Sequence, residues 1–563
     1  MTRHAAPPEP PDSQETRQES DLGVARATGL LALGNVSSRV LGLAREVTLA
    51  NLFGASAAID AFNVAIIAPR ALYDLLIAGH VNSAIIPVLS EVVTRDGRRE
   101  MWRLFAALFS VVTVLLALLV LLLELFAPQV VSLFGGGGLS PQTFELATAL
   151  LRLTAPALLF LGWFSLFAGA LYALRLFLWP AFAGAVFNAG IVLTMLTLVP
   201  PLQPVAGADA GAVGQMLARP QDAIMVAALG WLAGALLQMA LQFPGLWQAR
   251  LQLQLVWRHP ALRQIARLYA PVMFSLLLDA LVIRAVSYNL ATRSPQGEGA
   301  LGYMAWATTL TQFPQGLVAT AISLAILPTL SRQAARMTEA ARAAFRDTLG
   351  LGLRLVITLI LPATTALFVL ATPVIVLLFE HGAFTASDTA ITATALRLYL
   401  PGLPFAALDL LLVYAFYARQ DTLTPALVGA LSLAVYMLVA ILLFPTLGLF
   451  SLMIADSVKH FVHAAICGFI LARRVEGLGR QRLWTTFARS GLASLLTGLA
   501  VWLLLPPLTL RIGSGTLLAE ILLLLLGGGV FALAFALLAW GLRLQELRWL
   551  WRLVTQRIRG DAA

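Results

Sequence analysis

A succession of long apolar segments runs through this chain from residue 28 to residue 541. A helix needs about 20 consecutive, mostly apolar residues to cross a bilayer. Because 59% of the 563 residues are hydrophobic and only 12% are charged, a water-soluble fold could not cover this surface, and we predict an integral membrane protein. The fourteen predicted spans lie near residues 28–52, 58–90, 104–127, 146–171, 180–200, 223–243, 268–290, 303–327, 352–378, 393–416, 425–444, 449–471, 490–507 and 516–541.

The basic residues are distributed unequally among the loops between these spans. With the N-terminus inside, the cytoplasmic segments hold 27 of the 38 Lys and Arg residues, and the outside loops hold three. Cytoplasmic loops are the ones enriched in Lys and Arg. We therefore predict that both termini are cytoplasmic, with residues 1–27 a disordered polar tail and residues 542–563 a basic tail.

An internal repeat relates the two halves of the chain. Residues 151–185 align without gaps with residues 396–430, at an offset of 245. The alignment pairs Leu151 with Leu396, Arg152 with Arg397, Pro156 with Pro401, Tyr172 with Tyr417, Pro180 with Pro425 and Gly184 with Gly429. It maps six helices onto six, so the predicted lobes at 28–243 and 244–471 are parallel repeats. Such repeats are typical of alternating-access transporters, although a duplication kept only for packing has the same signature. Helices 13 and 14, within residues 472–541, have no counterpart.

The first predicted span carries charges that lipid does not tolerate. Each arginine at mid-helix costs about 2.5 to 3.5 kcal/mol, so Arg39 and Arg45 are expected to face the protein interior or a water-filled cavity. Arg39 and Glu46 share one helical face, and Arg45 lies about a third of a turn away. Ion pairs that only tie helices together are the alternative. Cations in a dry cavity favour an anionic cargo, and the arginine fork fits phosphate.

Other predicted spans repeat this polar pattern. Asn63, Arg70 and Asp74 share one face of the second span, with Asp60 at its outer mouth; in the second half the polar residues are Asp279, Arg284, Asp456, Lys459, His460 and His463. The pair of histidines has a spacing that suits a metal, but the sequence shows no accompanying carboxylate or cysteine cluster. We predict a polar interior face and no metal site. Asp409, Arg152 and Arg397 are predicted to be packing residues.

Several motifs resemble one known family. The segments "SSRVLGLARE", "FGASAAIDAF", "FPQGLVATAISLAILPTLSR", "LFEHGAFTASDT" and "FYARQDTLTP" are similar to the MurJ (MviN) lipid II flippases of the MOP exporter superfamily. The resemblance runs from about residue 28 to residue 471. It implies an all-α membrane fold of fourteen transmembrane helices, two parallel six-helix lobes of MOP type and two extra C-terminal helices.

The resemblance also implies a function. Such proteins move undecaprenyl-pyrophosphate-linked disaccharide pentapeptide from the inner to the outer leaflet of the bacterial cytoplasmic membrane. The family pattern of two arginines followed by an acid corresponds to Arg39, Arg45 and Glu46, and its acid after the first loop corresponds to Asp60; by resemblance they help to build the head-group cavity. Helices 13 and 14 would hold the lipid tail.

The chain departs from the family at two places. Tyr73, Asp74 and Ala78 stand where the second helix of the family has two arginines and a glutamate, and Thr308 and Thr309 replace an Asp-Arg pair. Our hypothesis is that other cations substitute for the missing ones. The predicted substrate-binding residues are therefore Arg39, Arg45, Glu46, Asp60, Arg70, Asp74, Arg284 and Lys459.

Three rival functions stay open: a flippase for another lipid-linked oligosaccharide, a cation-coupled exporter of small organic cations, and a MurJ-like scaffold that does not transport. An ATP-driven pump is disfavoured because the glycine-rich stretch at 134–141 lacks the Gly-Lys-Ser/Thr of a P-loop. No enzyme site is apparent. We expect no cofactor, and we expect a coupling ion or the membrane potential to supply the driving force. The expected partners are a lipid-linked anionic glycan and membrane lipids, with the cell-wall synthesis machinery as a candidate partner and no nucleic acid. We expect a monomer.

Overall fold

Helices make up almost all of the described part of the chain in the computed structural model. The structure describes residues 11–73, 85–201, 203–204, 217–218, 220–251, 262, 284–336, 338–513 and 516–547. The helices are α1 Pro11–Phe53, α2 Ala57–Tyr73, α3 Ile86–Leu125, α4 Ala127–Gly135, α5 Pro141–Thr154, α6 Ala157–Ala173, α7 Leu178–Ala181, α8 Ala183–Leu198, α9 Met225–Ala240, α10 Phe243–Gln248, α11 Arg284–Thr292, α12 Ala300–Pro314, α13 Ala321–Ala334, α14 Glu339–Val369, α15 Ala371–Phe379, α16 Ala386–Tyr399, α17 Leu403–Ala418, α18 Leu423–Leu447, α19 Phe450–Arg474, α20 Leu483–Ile512 and α21 Leu517–Gly541. Two two-residue strands, β1 Gln203–Pro204 and β2 Leu217–Ala218, pair antiparallel.

Ten helical segments of the described residues are long and apolar enough to cross a membrane. They are Ile86–Leu125, Pro141–Ala173, Asp222–Gln248, Ala300–Ala334, Glu339–Val369, Ala386–Ala418, Leu423–Leu447, Phe450–Arg474, Leu483–Ile512 and Leu517–Gly541. Each coincides with one of the fourteen predicted spans. The other four predicted spans fall on α1, on α2, on the shorter α8, and on residues 268–290, of which only 284–290 are described. The chain is thus a multi-pass membrane protein with about ten candidate spans.

Two helical runs contain local irregularities. α3 is bent at Gly97, where φ is 86°, a backbone conformation that suits glycine. α12 and α13 are joined by a π-helical turn, Gln315–Thr320, directly after Pro314. Proline lacks the amide hydrogen of a regular helix, and π turns often accompany functional sites. The second predicted span is too long for a straight crossing, and its sequence offers Pro69 and Gly79 as places to bend; Pro69 lies inside α2, and Gly79 lies outside the described residues.

The chain forms two compact units. The first unit comprises Met1–Thr48, Ala61–Ser132 and Pro141–Ala280, and the second comprises Leu49–Asp60, Leu133–Ser140 and Leu281–Ala563. Two short segments from the N-terminal half, the connection between α1 and α2 and the loop before α5, therefore belong to the second unit. The predicted lobes at 28–243 and 244–471 stay a prediction.

The internal repeat is visible in the local structure. Both bounds of α16 lie 245 residues after those of α5, and α17 ends 245 residues after α6. The helix ends match as well. The amide of Leu176 donates to the carbonyl oxygen of Leu171, and the amide of Asp421 donates to that of Phe416. The residues before these donors, Arg175 and Gln420, have positive φ. This is the hydrogen-bond pattern of a Schellman cap. The aligned segments share helix bounds and cap geometry, as the sequence repeat predicts.

Glycines explain two of the loop motifs in the second unit. A Cβ on Gly54, whose φ is +58°, would lie 2.3 Å from the carbonyl oxygen of Ala383. A Cβ on Gly382 would lie 2.4 Å from the carbonyl oxygen of Asn51. The amide of Ala383 donates to that same oxygen at 2.8 Å. The motifs "NLFGASAAID" and "LFEHGAFTASDT" are therefore joined backbone to backbone, which only glycine permits.

The third loop motif, "FYARQDTLTP", organises the start of α18. Asp421 accepts hydrogen bonds from the amide of Thr424 at 3.0 Å and from its hydroxyl at 2.6 Å, and it also pairs with the guanidinium of Arg474 at the end of α19. Because all three contacts favour the carboxylate, the Thr424 bonds first, the pKa of Asp421 is lowered to about 2. This carboxylate ties two helix ends together in a loop outside the membrane spans.

Apolar packing joins α20 and α21 to α15, and one ion pair joins the segment after α21 to α14. Leu370, Val501, Phe531 and Phe535 belong to a buried cluster that joins these helices to α15. Arg354 of α14 donates to Glu546 at 2.8 Å and to the side-chain and backbone oxygens of Gln481 at 3.1 and 2.9 Å. The two extra C-terminal helices thus share one core with α14 and α15.

Candidate functional site

The first unit holds a polar cluster centred on Arg45 of α1. Its guanidinium donates to Oε1 of Glu46 from Nη2 at 2.6 Å and from Nε at 3.2 Å, and Nη1 donates to Oδ1 of Asn188 at 3.0 Å. The side chains of Arg45 and Glu46 are 17% and 11% exposed. The ring centroid of Trp231 lies 6.0 Å from Arg45 Cζ, at the outer limit of a cation–π contact. We call Arg45, Glu46 and Asn188 the N-unit cluster.

Asn188 connects α8 to α1. Its Nδ2 donates to the carbonyl oxygens of Gly184 at 2.9 Å and of Ser38 at 3.3 Å, while a Cβ on Gly42 would lie 3.6 Å from that nitrogen. A side chain at position 42 would therefore meet the amide only in ordinary van der Waals contact. Asn188 therefore holds both the helix and the arginine, and the sequence did not single it out.

Arg39 and Arg70 have different surroundings from Arg45. Arg39 is half-buried on α1 and Arg70 is exposed near the end of α2. The rise of about 1.5 Å per residue places the Cα atoms of Arg39 and Arg45 about 9 Å apart along the helix axis. Asp74, predicted to share a face with Arg70, lies outside the described residues. Three of the predicted cations thus belong to the first unit, and Arg45 is the one held by the N-unit cluster.

Asp60 is buried at 4% exposure and bonded to the start of another helix. Its Oδ2 accepts the amide of Gly299 at 2.7 Å, and its Oδ1 accepts the amide of Leu301 at 2.9 Å. These two N–H groups lie at the N-terminus of α12, where the backbone N–H groups have no acceptor within their own helix. The carboxylate satisfies them and also sits at the positive end of the helix dipole. The sequence predicted a cavity residue, and this geometry shows Asp60 as a helix cap.

The predicted cations of the second unit lie on α11 and α19. Arg284 is half-buried at the start of α11. Lys459 pairs with Asp456 at 2.5 Å, and its Nζ lies 5.7 Å from the ring centroid of Tyr436. The hydroxyl of Tyr436 is 2.8 Å from that of Ser287 on α11. Asp456 balances the charge of Lys459, as Glu46 balances that of Arg45.

The positions where the family carries other charges are neutral here and contact the protein. Thr308 donates its hydroxyl to the carbonyl oxygen of Met304 at 2.6 Å. The hydroxyl of Tyr73 lies 3.3 Å from that of Ser165. Both side chains are half-buried. Tyr73 thus supplies a hydroxyl group where the resemblance implies an arginine, and Thr308 supplies one where it implies an aspartate.

The histidines of α19 have partners that the sequence did not reveal. His463 contacts Asp409 of α17 at 2.5 Å, and Cys467 lies 3.8 Å from the same ring nitrogen. His460 instead faces Asp456 at 3.6 Å. The sequence did contain one indication of this cluster, because His463 and Cys467 are four residues apart and therefore share one helical face. What the sequence could not supply was the carboxylate, because Asp409 is on another helix.

Comparisons with known proteins match the chain over most of its length. A family model described as lipid II flippase MurJ matches residues 49–524. A protein of Vibrio cholerae serotype O1, described as a probable lipid II flippase MurJ, is 30% identical over 523 residues, which cover 91% of this chain and 95% of the relative.

Solved structures share the fold. One described as lipid II flippase MurJ in an inward closed conformation superposes with a TM-score of 0.73 at 22% identity, covering 91% of this chain and 99% of that chain. An inward-facing multidrug resistance MATE family transporter of the MOP superfamily gives a TM-score of 0.58 at 15% identity, with 79% and 96% covered. At these identities the likeness establishes architecture.

Proposed function

This chain belongs to the lipid II flippase MurJ family, as its loop motifs predicted, and on that premise we propose that it moves lipid II from the inner to the outer leaflet of the bacterial cytoplasmic membrane. The observation that carries the proposal is the family match over residues 49–524, joined by a relative of the same description covered over 95% of its length. The protein would be a transporter rather than a catalyst.

The N-unit cluster supports binding of a phosphate head group. A guanidinium has five N–H donors in a planar fork, and three of them hold Arg45 to Glu46 and Asn188. Within the described residues the other two, one on each terminal nitrogen, have no partner. A fork fixed in this way loses little conformational entropy when phosphate oxygens bind. Arg45 would therefore offer a preorganised pair of donors.

The other predicted residues would each contribute within their own unit. Arg39 and Arg70 would contribute further positive charge in the first unit, and Arg284 and Lys459 in the second. Glu46 would orient Arg45 within the first unit, and Asp60 would hold the start of α12 in the second. Asp74 stays a prediction, since it lies outside the described residues.

We propose alternating access as the mechanism. The supporting facts are the repeat at an offset of 245 residues and the shared fold with a MATE transporter. The proposal includes fourteen spans in two parallel lobes plus α20 and α21, with cytoplasmic termini. An ion gradient or the membrane potential would supply the driving force, since one charge moved across 100 mV yields about 2.3 kcal/mol.

The test uses cells depleted of their own lipid II flippase that express this protein. Lipid II exposed on the outer leaflet is measured by adding a lipid II-cleaving enzyme from outside. We expect the wild type to restore cleavage and both Arg39→Ala and Arg45→Ala to abolish it at equal expression. Arg103→Ala is the matched control, because Arg103 is exposed and forms an ion pair with Glu100 on the same helix. A well-expressed wild type that restores nothing would refute lipid II as the cargo.

A flippase for another lipid-linked oligosaccharide is the second candidate. The neutral hydroxyls of Tyr73 and Thr308 favour it, because they alter the polar groups offered to the sugar or peptide of the cargo. The same cells distinguish the two: failure with lipid II, together with movement of a different lipid-linked glycan that still requires Arg45, would select this alternative. In either case we expect a monomer that serves the enzymes building the cell wall.

A further inference from the structure

Three side chains of the second unit that the proposed transport does not use converge on one point. Asp409 lies in the middle of α17, and His463 and Cys467 lie in α19. Nδ1 of His463 is 2.5 Å from Oδ1 of Asp409 and 3.8 Å from Sγ of Cys467. All three potential ligand atoms lie within 4.8 Å of one another. Donors this close can surround a single ion.

The local structure aims these donors at the same place. His463 and Cys467 are separated by four residues, so both project from one face of α19, and α17 packs against that helix. Nε2 of His463 lies 3.2 Å from the carbonyl oxygen of Pro425 in the first turn of α18. If Nε2 carries the proton and donates it to this carbonyl, Nδ1 is left to face Asp409 and Cys467. A backbone carbonyl on the far nitrogen is the usual outer partner of a metal-binding histidine.

Burial makes the cluster costly without a balancing charge. Cys467 is fully buried, and the side chains of His463 and Asp409 are 13% and 17% exposed. Polar and ionisable groups inside a membrane protein are expensive, and they mark functional sites more often than surface ones. A bound cation would satisfy all three at once.

We propose that Asp409, His463 and Cys467 bind a zinc-class divalent metal ion. Thiolate and imidazole are the ligands that Zn²⁺ prefers, and a carboxylate oxygen completes a known kind of three-residue set. Mg²⁺, Ca²⁺ and similar hard cations prefer sets made of oxygen. The mixture of sulfur, nitrogen and oxygen therefore selects the class of ion. The proposal does not depend on which lipid the protein carries.

Binding changes the protons on the cluster. Cys467 must lose its thiol proton, and any proton that Nδ1 of His463 shares with Asp409 must also leave, so the ion displaces protons into solvent. Affinity therefore rises with pH. The bound ion would join α17 directly to α19, and through the carbonyl of Pro425 it would orient the start of α18.

The experiment titrates Co²⁺ into the purified full-length protein in detergent. Co²⁺ replaces Zn²⁺ and reports a sulfur ligand through a thiolate-to-cobalt charge-transfer absorption. We expect about one ion per chain, loss of the absorption when Zn²⁺ is added, and its absence in Cys467→Ser. His460→Asn is the matched control, since His460 is on the same helix but faces Asp456, and it should keep the absorption.

A second measurement needs no variant. Cys467 is the only cysteine of the chain, so a small thiol reagent can label no other residue, and it reaches this buried sulfur when the structure opens locally. Zn²⁺ should slow labelling by roughly tenfold or more, because a metal-bound sulfur is no longer a free nucleophile. Mg²⁺ should have no effect. Absence of the cobalt absorption, or labelling that Zn²⁺ does not slow, would overturn the proposal whatever the outcome of the flippase assay.

Discussion

Arg45 donates a hydrogen bond to Asn188 at 3.0 Å across 143 residues of sequence. The contact joins α1 to α8 and fixes one arm of a guanidinium whose other arm is held by Glu46. An arginine in a predicted span is therefore stabilised by two partners of different kinds, a carboxylate next to it in sequence and an amide on another helix.

Asn188→Ala should destabilise the protein. The substitution removes the acceptor for Arg45 and both donor contacts to the backbone of Gly184 and Ser38. Losing a hydrogen bond to a charged group costs about 1.5 to 3 kcal/mol. The check is the midpoint of denaturant unfolding in detergent, with Asn35→Ala as control because Asn35 is exposed on α1. Equal midpoints for the two variants would contradict the role of Asn188.

Asp60→Ala should weaken the start of α12. It leaves the amides of Gly299 and Leu301 without their acceptor, and replacing a helix-capping side chain by alanine costs about 1 to 2 kcal/mol. Thermal unfolding followed by tryptophan fluorescence measures the loss. Asp222→Ala, which removes an exposed carboxylate, is the comparison. A shift no larger than that of the control would show that the cap contributes nothing.

Gly234→Ala should disturb the packing of α9 on α8. The new Cβ would lie 2.6 Å from the carbonyl oxygen of Phe187, so a backbone must move, and overpacking of this kind costs about 1 to 3 kcal/mol. Gly528→Ala is the control, since a Cβ there meets nothing within 4 Å. The yield of monodisperse protein after gel filtration should fall only for Gly234→Ala. A normal yield and unfolding temperature for that variant would contradict the close approach.

Arg354 and Glu546 should be energetically coupled. The side chain of Glu546 is 7% exposed and that of Arg354 is 21% exposed, so removing either partner leaves a largely buried charge, at a cost of about 3 kcal/mol. In a double-mutant cycle with Arg354→Ala and Glu546→Ala, the second substitution should cost much less than the first. Additive losses would show that the pair does not fasten the segment that follows α21 to α14.

The stability of the α17–α18 loop should depend on acidic pH. The pKa of Asp421 is lowered to about 2 from the ordinary 3.8, so the unfolded chain binds the proton more tightly than the folded one. The contribution is fully present above pH 3.8 and is lost as the pH falls toward 2. It is small, at most about 1 kcal/mol, because the pair with Arg474 is exposed.

Unfolding temperatures of the wild type and of Asp421→Asn, measured from pH 5 to about 2, check this expectation. The difference between the two proteins should be greatest at pH 5 and should shrink as the solution becomes more acidic. A difference that does not change with pH would mean that the carboxylate contributes no charge-dependent stability.

The local sequence was sufficient for the helices and for the repeat. Apolar runs decide where a helix crosses a bilayer, because every backbone hydrogen bond must be made within the segment, and ten predicted spans coincide with helices of the structure. The matched positions Tyr172 and Tyr417 stand at helix ends with the same cap. These features depend on neighbours a few residues away, so they can be read along the chain.

The partners of the polar residues were decided by tertiary structure. The sequence indicated that Arg45 must turn away from lipid and placed Asp60 at the outer mouth of the second predicted span. It did not predict that Asn188 accepts a hydrogen bond from Arg45 or that the amides of α12 donate to Asp60. Asp409 and His463 are far apart in the sequence, but the fold brings Oδ1 of Asp409 to 2.5 Å from Nδ1 of His463. The cost of placing a charge in lipid predicts only that the side chain is buried within the protein. Which group it meets depends on the rotation and packing of helices distant in sequence, and no local pattern encodes that.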